Sequence, residues 1–354
     1  MCLRIVSVRA ATAKLIAAWI GSVFAMIMLA VSPVSAASDI RWGTGPVGSS
    51  GQKALVVLAD VLNRAIPEYR ISVLPTAGAI TTVKGFAMGE FDGYYGSDLS
   101  LKELRDDSGR FKDFKSNIKF QPVQSFWCYT LDVGLAIKAS DRDAIEKWED
   151  LSGKPVYTGP LPFDVRLYLE NAMVAAGVHH IYRQVDLSTV GSQLNSGSIK
   201  GMLIYAAGGE TPVPWLAEAS LSVDWAALNP SPDELQKLNA QGFTNVEVDP
   251  ANFHKKDLYV KKVTLLPMYW GFDLGLNVSA DDMYKMLKVI EAHADELATL
   301  DPSFRQISGG KMAEFQKEAL QSTWTLAPIH PGLARYLKEK GVWDAKWDTR
   351  IAKM

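Results

Sequence analysis

The apolar positions of residues 39–98 switch between two periods. Ile40 to Trp42 suits a short strand, and a turn of small residues follows it, with Gly43, Gly45, Pro46, Gly48, Ser49, Ser50 and Gly51. Leu55, Leu58, Ala59 and Leu62 then recur at the helical period. Tyr69 to Leu74 alternates like a second strand, Ile80 to Met88 reads as a second helix, and a turn from Gly89 leads into a third strand ending near Asp98. Strand, helix, strand, helix, strand predicts an α/β fold with a parallel sheet. The turns at the strand C-termini of such a sheet gather along one edge, where ligands are held. Ser49, Thr76 and Ser97 are expected to share that edge, with Gly48, Ser50, Gln52, Ala77 and Gly78 beside them. The glycines allow close backbone approach, and Ser49 and Ser50 stand at a helix cap. The free N–H groups of the first helix then offer a site for an anion.

Further along, Lys102 to Lys119 is polar and expected at the surface. Phe120 to Ile137, with Phe126, Trp127 and Tyr129, reads as a strand crossing into a second lobe, and Val263 to Leu276 as the strand that returns. The predicted division is 37–126 with 264–354 as one lobe and 127–263 as the other. The second lobe repeats the opening device. Thr158-Gly159-Pro160-Leu161-Pro162-Phe163-Asp164 is a turn, and Val165 to Ala176 a helix with Leu167, Leu169, Ala172 and Met173 toward a core. Gly177 stops it. Two turns feeding two helix N-termini give a cleft with two walls, the second carrying Phe163, Asp164 and Arg166, with Tyr205 and Gly208 at a neighbouring strand end. Trp127, Tyr129 and Trp270 lie on the crossing strands that border the cleft; for the two tryptophans a core role is the alternative to ligand contact. Arg166 either binds a carboxylate with its guanidinium or pairs with Asp164 or Glu170 on its own helix. Ser279 is expected to cap the longest helix, with Met283, Met286, Leu287, Ile290, Ala294 and Leu297 as its buried stripe.

Residues 1–36 read as a cleavable export leader: Arg4, Arg9 and Lys14 precede the apolar run Leu15 to Val31, and Val34-Ser35-Ala36 supplies small residues at the cut. A membrane anchor is the rival, since 17 residues is short for a span. Cleavage places the protein in the periplasm and moves the formal charge from -2 to -5, because three cations leave with the leader. That acidity gives nucleic acid no footing. Cys128 is then the one cysteine left, so packing and not a disulfide must hold the fold. Gly43-Thr44-Gly45-Pro46-Val47-Gly48 matches a dinucleotide fingerprint, yet no acid for a ribose follows the second strand, which ends at Leu74-Pro75, so no nucleotide cofactor is expected. Gly48-Ser49-Ser50-Gly51 is one residue too short for a nucleophile elbow, and the five histidines show no metal or triad spacing. A binding role is therefore expected, without catalysis and without metal.

The GTGPVGSSG turn with its helix, PTAGAITTVKGFAMGEFD, IEKWEDLSGKPV, GSIKGMLIYAAGGETPVPWLAE and PIHPGLARYLKEKG together resemble the TAXI-type solute-binding receptors of TRAP transporters. The resemblance implies a two-lobed periplasmic binding protein of type II fold, with the ligand cleft between lobes. Its ligand would be a small organic anion, a carboxylate or an amino-acid-like molecule, delivered to TRAP membrane permease subunits. The chain departs from the family's pattern at two places in the cleft. Gly51-Gln52 stands where paired tyrosines are usual, and the second-lobe turn carries Pro160, Leu161 and Pro162 in place of a Gly- and Ser-rich run. A receptor of the same fold serving an ATP-driven importer, for a sulfonate or a thiamine precursor, is the alternative.

Overall fold

The computed structural model describes residues 37–161, 163–209, 211–212, 214–251, 258–323 and 325–353. The expected leader, 1–36, and Pro162 lie outside the described residues.

The first half follows the predicted alternation: β1 (Ser38–Thr44), α1 (Ser50–Ala65), β2 (Tyr69–Pro75), α2 (Ala79–Met88), β3 (Gly93–Ser97) and α3 (Asp98–Asp106). β1 lies parallel to both β2 and β3, with Ile40 opposite Ile71 and Trp42 opposite Gly93. Helix α1 forms where the sequence asks for it. Ser49 takes extended backbone and its Oγ accepts the Gln52 N–H at 3.2 Å, and the helix turns Ala54, Leu55, Leu58, Ala59, Val61 and Leu62 inward. Burying each such leucine or valine is worth about 1.5–3 kcal/mol, which outweighs the lack of acidic residues in its first turn.

Two twelve-residue strands, β4 (Trp127–Lys138) and β11 (Val263–Leu274), run antiparallel and carry the chain between the halves. The second half holds β5 (Pro155–Tyr157), α4 (Asp164–Ala176), β6 (Ile181–Tyr182), α5 (Val190–Ser196), β7 (Gly201–Ala207), β8 (Thr211–Pro212), α6 (Pro214–Ser222), β9 (Trp225–Leu228), α7 (Pro232–Ala240) and β10 (Val246–Val248). The sheet order is β2-β1-β3-β11-β4-β7-β5-β6. Each end is a small α/β unit with parallel strands, and the shared antiparallel pair in the middle makes this the two-lobed arrangement of a type II periplasmic binding protein.

After β11 the chain forms α8 (Ala280–Ala292), α9 (Ala294–Leu300), α10 (Met312–Thr323) and α11 (Pro331–Glu339); α8 and α9 pack on α1, and α10 packs on β4. Ser279 caps α8 as expected, accepting the Asp282 N–H at 3.1 Å. The longest helix is α1 instead, with sixteen residues against thirteen. The expected apolar stripe is buried throughout, yet His293 at φ -107° and ψ 12° divides its helix after Ala292. Among the described residues no helix is long and apolar enough to cross a membrane.

Candidate functional site

The first two turns meet at the C-terminal edge of β1 and β2. Thr76 Oγ1 donates to the Thr44 carbonyl at 2.8 Å, its backbone N–H donates to the same carbonyl, and it accepts the Gly78 N–H at 3.2 Å. In the first turn, Gly48 takes φ +83°, a conformation glycine adopts without strain, and donates its N–H to Gln52 Oε1 at 3.3 Å. Gly48, Ser50 and Ala77 are exposed, and Ser49, Gln52, Thr76 and Gly78 are half-buried. Ser97 is buried and caps α3, accepting the Ser100 N–H at 3.1 Å. Turns one and two are thus tied together, whereas Ser97 serves a different partner described below.

Between these turns and the crossing strands lies an aromatic wall. The Tyr95 ring stacks on Trp270 at 4.7 Å and on Phe272 at 5.2 Å, and its hydroxyl meets that of Tyr129 at 2.6 Å. Burial raises the pKa of both phenols, so they stay neutral and share one hydrogen bond. Gly51 makes room for this ring: a Cβ there would sit 2.5 Å from Tyr95 Cζ. The space that paired tyrosines would fill on α1 is filled from β3. Gly51→Ala is therefore expected to push Tyr95 off Tyr129 and cost ~1–3 kcal/mol of overpacking, read as a lower urea midpoint with an unchanged slope.

From the second half, Tyr157 and Tyr205 pack on Trp215 at 6.5 and 6.2 Å. The Tyr205 hydroxyl lies near enough to Tyr129 to disfavour its ionisation, a smaller effect than burial. Thr44 Oγ1, Trp270 Nε1 and Tyr157 Oη are buried and have no partner among the described residues, whereas the Trp215 indole N–H bonds to the Tyr205 hydroxyl and opposes the rise that burial gives its pKa. Polar groups in a protein interior are nearly always bonded, so the three atoms without partners retain capacity to bond a further group.

The other expected site residues are placed differently. Trp127 is buried on the opposite side of β4. Its Nε1 donates to Gln124 Oε1 at 3.2 Å, its backbone N–H to Gln316 Oε1 at 2.8 Å, and its ring packs edge-on to Tyr269. Arg166 pairs with Glu170 at 3.0 Å and lies over the Tyr182 ring at 4.2 Å, the second of the two arrangements that the sequence allowed. Phe163 is exposed. Gly208 donates its N–H to the Thr130 carbonyl and backs onto Gln306. Asp164 is buried, with Ser97 Oγ and Ser100 Oγ donating to Oδ2 and Arg110 Nη1 donating to Oδ1.

Sequence reasoning missed Tyr95, Tyr157, Trp215 and Arg110. The polar segment 102–119 does not simply wrap the surface: Phe111 and Phe114 are buried and aim Arg110 inward. For Tyr95, the only local signal is the pair of glycines flanking Tyr94-Tyr95 on a wholly buried strand. Among the described residues, no three of His, Cys, Asp and Glu gather to hold a metal.

Solved structures similar to this chain include the probable amino-acid ABC transporter extracellular-binding protein YtmK of Bacillus subtilis, 13% identical over 77% of this chain and 98% of that one, with TM-score 0.42. The aliphatic sulphonate binding protein SsuA of Escherichia coli is 10% identical over 89% and 97%, with TM-score 0.40. A putative L-cystine ABC transporter from Listeria monocytogenes is 12% identical over 78% and 96%, with TM-score 0.39. At that likeness they add nothing to the strand order given above. No curated protein matches the chain. A family model matches residues 42–341, most of the sequence: the chain belongs to the NMT1-like family.

Proposed function

We propose that the protein is an extracytoplasmic solute receptor that shuts two lobes on a small organic molecule and releases it unaltered. Residues 37–126 with 264–354 form one lobe and 127–263 the other, and the leader directs the chain to the periplasm. The observation that carries this reading is an aromatic cluster in each half, with the buried Thr44 Oγ1 and Trp270 Nε1 of one half and Tyr157 Oη of the other left without partners among the described residues. An unpaired buried group costs ~1–3 kcal/mol, so a guest that bonds to Trp270 Nε1 and to the Thr44 and Tyr157 hydroxyls adds to the stability of the closed form. The guest is a small organic solute with a flat or apolar body and acceptor oxygens. A carboxylate or sulfonate fits where its charge rests on the N–H groups at the start of α1, since Arg166 is already paired.

In this reading the membrane partner is the permease of an ATP-driven importer, one of the two kinds that receptors of this fold serve. A TRAP permease is the second reading, favoured by the motifs of the Gly-rich first turn and of Pro328 to Gly341. Reconstitution separates them: stimulation of ATP hydrolysis by the solute-loaded protein supports the first, and uptake driven by an ion gradient alone supports the second.

A thermal-shift panel of carboxylates, amino acids and sulfonates tests the receptor itself, because a ligand at a hundred times Kd stabilises by ~2.7 kcal/mol. Trp270→Phe and Tyr157→Phe each remove one donor and keep the ring. Each is expected to weaken the best solute about tenfold, ~1.4 kcal/mol, while leaving unfolding without solute nearly unchanged. Unaltered affinity in both variants would place the site elsewhere.

A further inference from the structure

One carboxylate joins the two halves of the molecule directly. Asp164 opens α4 in the second half, is 4% exposed, and has no bonding partner on its own helix among the described residues. Its oxygens are taken instead by the first half: Ser97 Oγ and Ser100 Oγ (2.8 Å) at the start of α3, and Arg110 from the segment that follows α3. Glu103 holds Arg110 from the other side, 2.6 Å from Nη2 and 2.7 Å from Nε. Burial works to lower the Arg110 pKa, but Asp164 and Glu103 outweigh it and leave it raised, so the guanidinium stays charged. The neighbouring Asp98 carboxylate does not compete for these donors; it accepts the Leu99 and Tyr269 N–H groups at 2.6 and 3.0 Å.

Two hydroxyls and an arginine of one lobe thus bind an acid as they would a carboxylate ligand, and the acid is a side chain of the opposite lobe. We propose that Asp164 is an internal latch: it occupies the α3 site of the first lobe and holds the two lobes together before any solute arrives. Opening the cleft then requires exposing Asp164, Ser97, Ser100 and Arg110 to water, and the solute adds to a closure that the chain already favours. The latch also sets what the site does not take. Arg110 is matched by two carboxylates, Asp164 and Glu103, so it has no charge left to hold a solute acid.

The inference rests on lobes that open and shut, as in the receptor reading, but its test needs no solute. Val56 on α1 and Val174 on α4 are exposed, at 44% and 58%, and replacing both with cysteine allows spin labels on either lobe of the full chain. Pulsed electron spin resonance without solute is expected to give one narrow distance for the labelled parent and a longer, broader distribution for Asp164→Asn. Arg110→Gln, which removes the partner from the other lobe, is expected to do the same, and circular dichroism shows whether each variant remains folded. Distances that stay narrow and unshifted in both folded variants overturn the latch. Adding the carboxylate, amino-acid and sulfonate panel separates the two ideas. A panel member that stabilises the parent while neither variant opens leaves the receptor reading standing without the latch; opening of the variants with no panel response leaves the latch without the receptor.

Discussion

Replacing Trp127 by alanine is expected to lower the free energy of unfolding by about 3–5 kcal/mol and to leave solute affinity nearly unchanged. The indole is fully buried, with its Nε1 bonded to Gln124 and its edge against Tyr269. Truncation removes a large apolar surface and also one of the two donors to Gln124 Oε1, which keeps only Thr323 Oγ1 at 2.8 Å. The side chain cannot be drawn into the cleft, because of where β4 bulges. Trp270 pairs with Tyr129, but Gly271 pairs with Trp127, so Cys128 is the extra residue. A one-residue shift sends every side chain beyond it to the other face. Tyr129 joins Trp270 on the cleft side, and Trp127 turns to the helices behind. Urea unfolding and a binding titration of the same variant check the claim; lost binding with intact stability would return Trp127 to the cleft.

The second large effect is a dependence of stability on pH. Asp132 on β4 is buried, its Oδ1 has no partner among the described residues, and burial pushes its pKa up to about 7, with the Thr130 hydroxyl opposing. In the unfolded chain it returns to the ordinary aspartate value of 3.8. Between those two values the native protein holds a proton that the unfolded chain has released, so the contribution of this residue to stability is greatest below pH ~4 and falls as pH rises toward 7. Three units at 1.36 kcal/mol each make the loss on the order of 4 kcal/mol for this one residue. Asp98 and Asp273, also raised to about 7 by burial, act in the same direction. Asp132→Asn cannot ionise. It is expected to be more stable than the parent at pH 8, to differ little at pH 4, and to flatten the profile between, as measured by urea unfolding across that range.

What the sequence made legible was local. Alternating and helical periods, Gly-rich turns and serine caps located β1 through β3, their helices and both crossing strands, because each is decided within a few residues. Gly177 at φ +89° ends α4 where the pattern stops. The rest depends on partners distant in the chain. Arg110 meets Asp164 across 54 residues, and nothing in its polar surroundings distinguishes it from a solvated arginine. Trp127 and Trp270 read alike on their strands, and only the bulge between them separates core from cleft. The missing aromatic pair at Gly51-Gln52 became intelligible once Tyr95 was seen to fill that space from β3. The length assigned to the α8 stripe failed for a related reason: burial continues past His293 while the helix does not, so apolar periodicity followed the core and not the backbone.

Native mass spectrometry of the protein exported and processed at its leader, incubated with the mixed panel of carboxylates, amino acids and sulfonates, tests the central claim most directly. The account predicts a single retained mass equal to one intact panel member, recovered unchanged on denaturation and lost from a Trp270→Phe, Tyr157→Phe double variant that still folds. Recovery of a chemically altered molecule, or equal retention by the double variant, would contradict it.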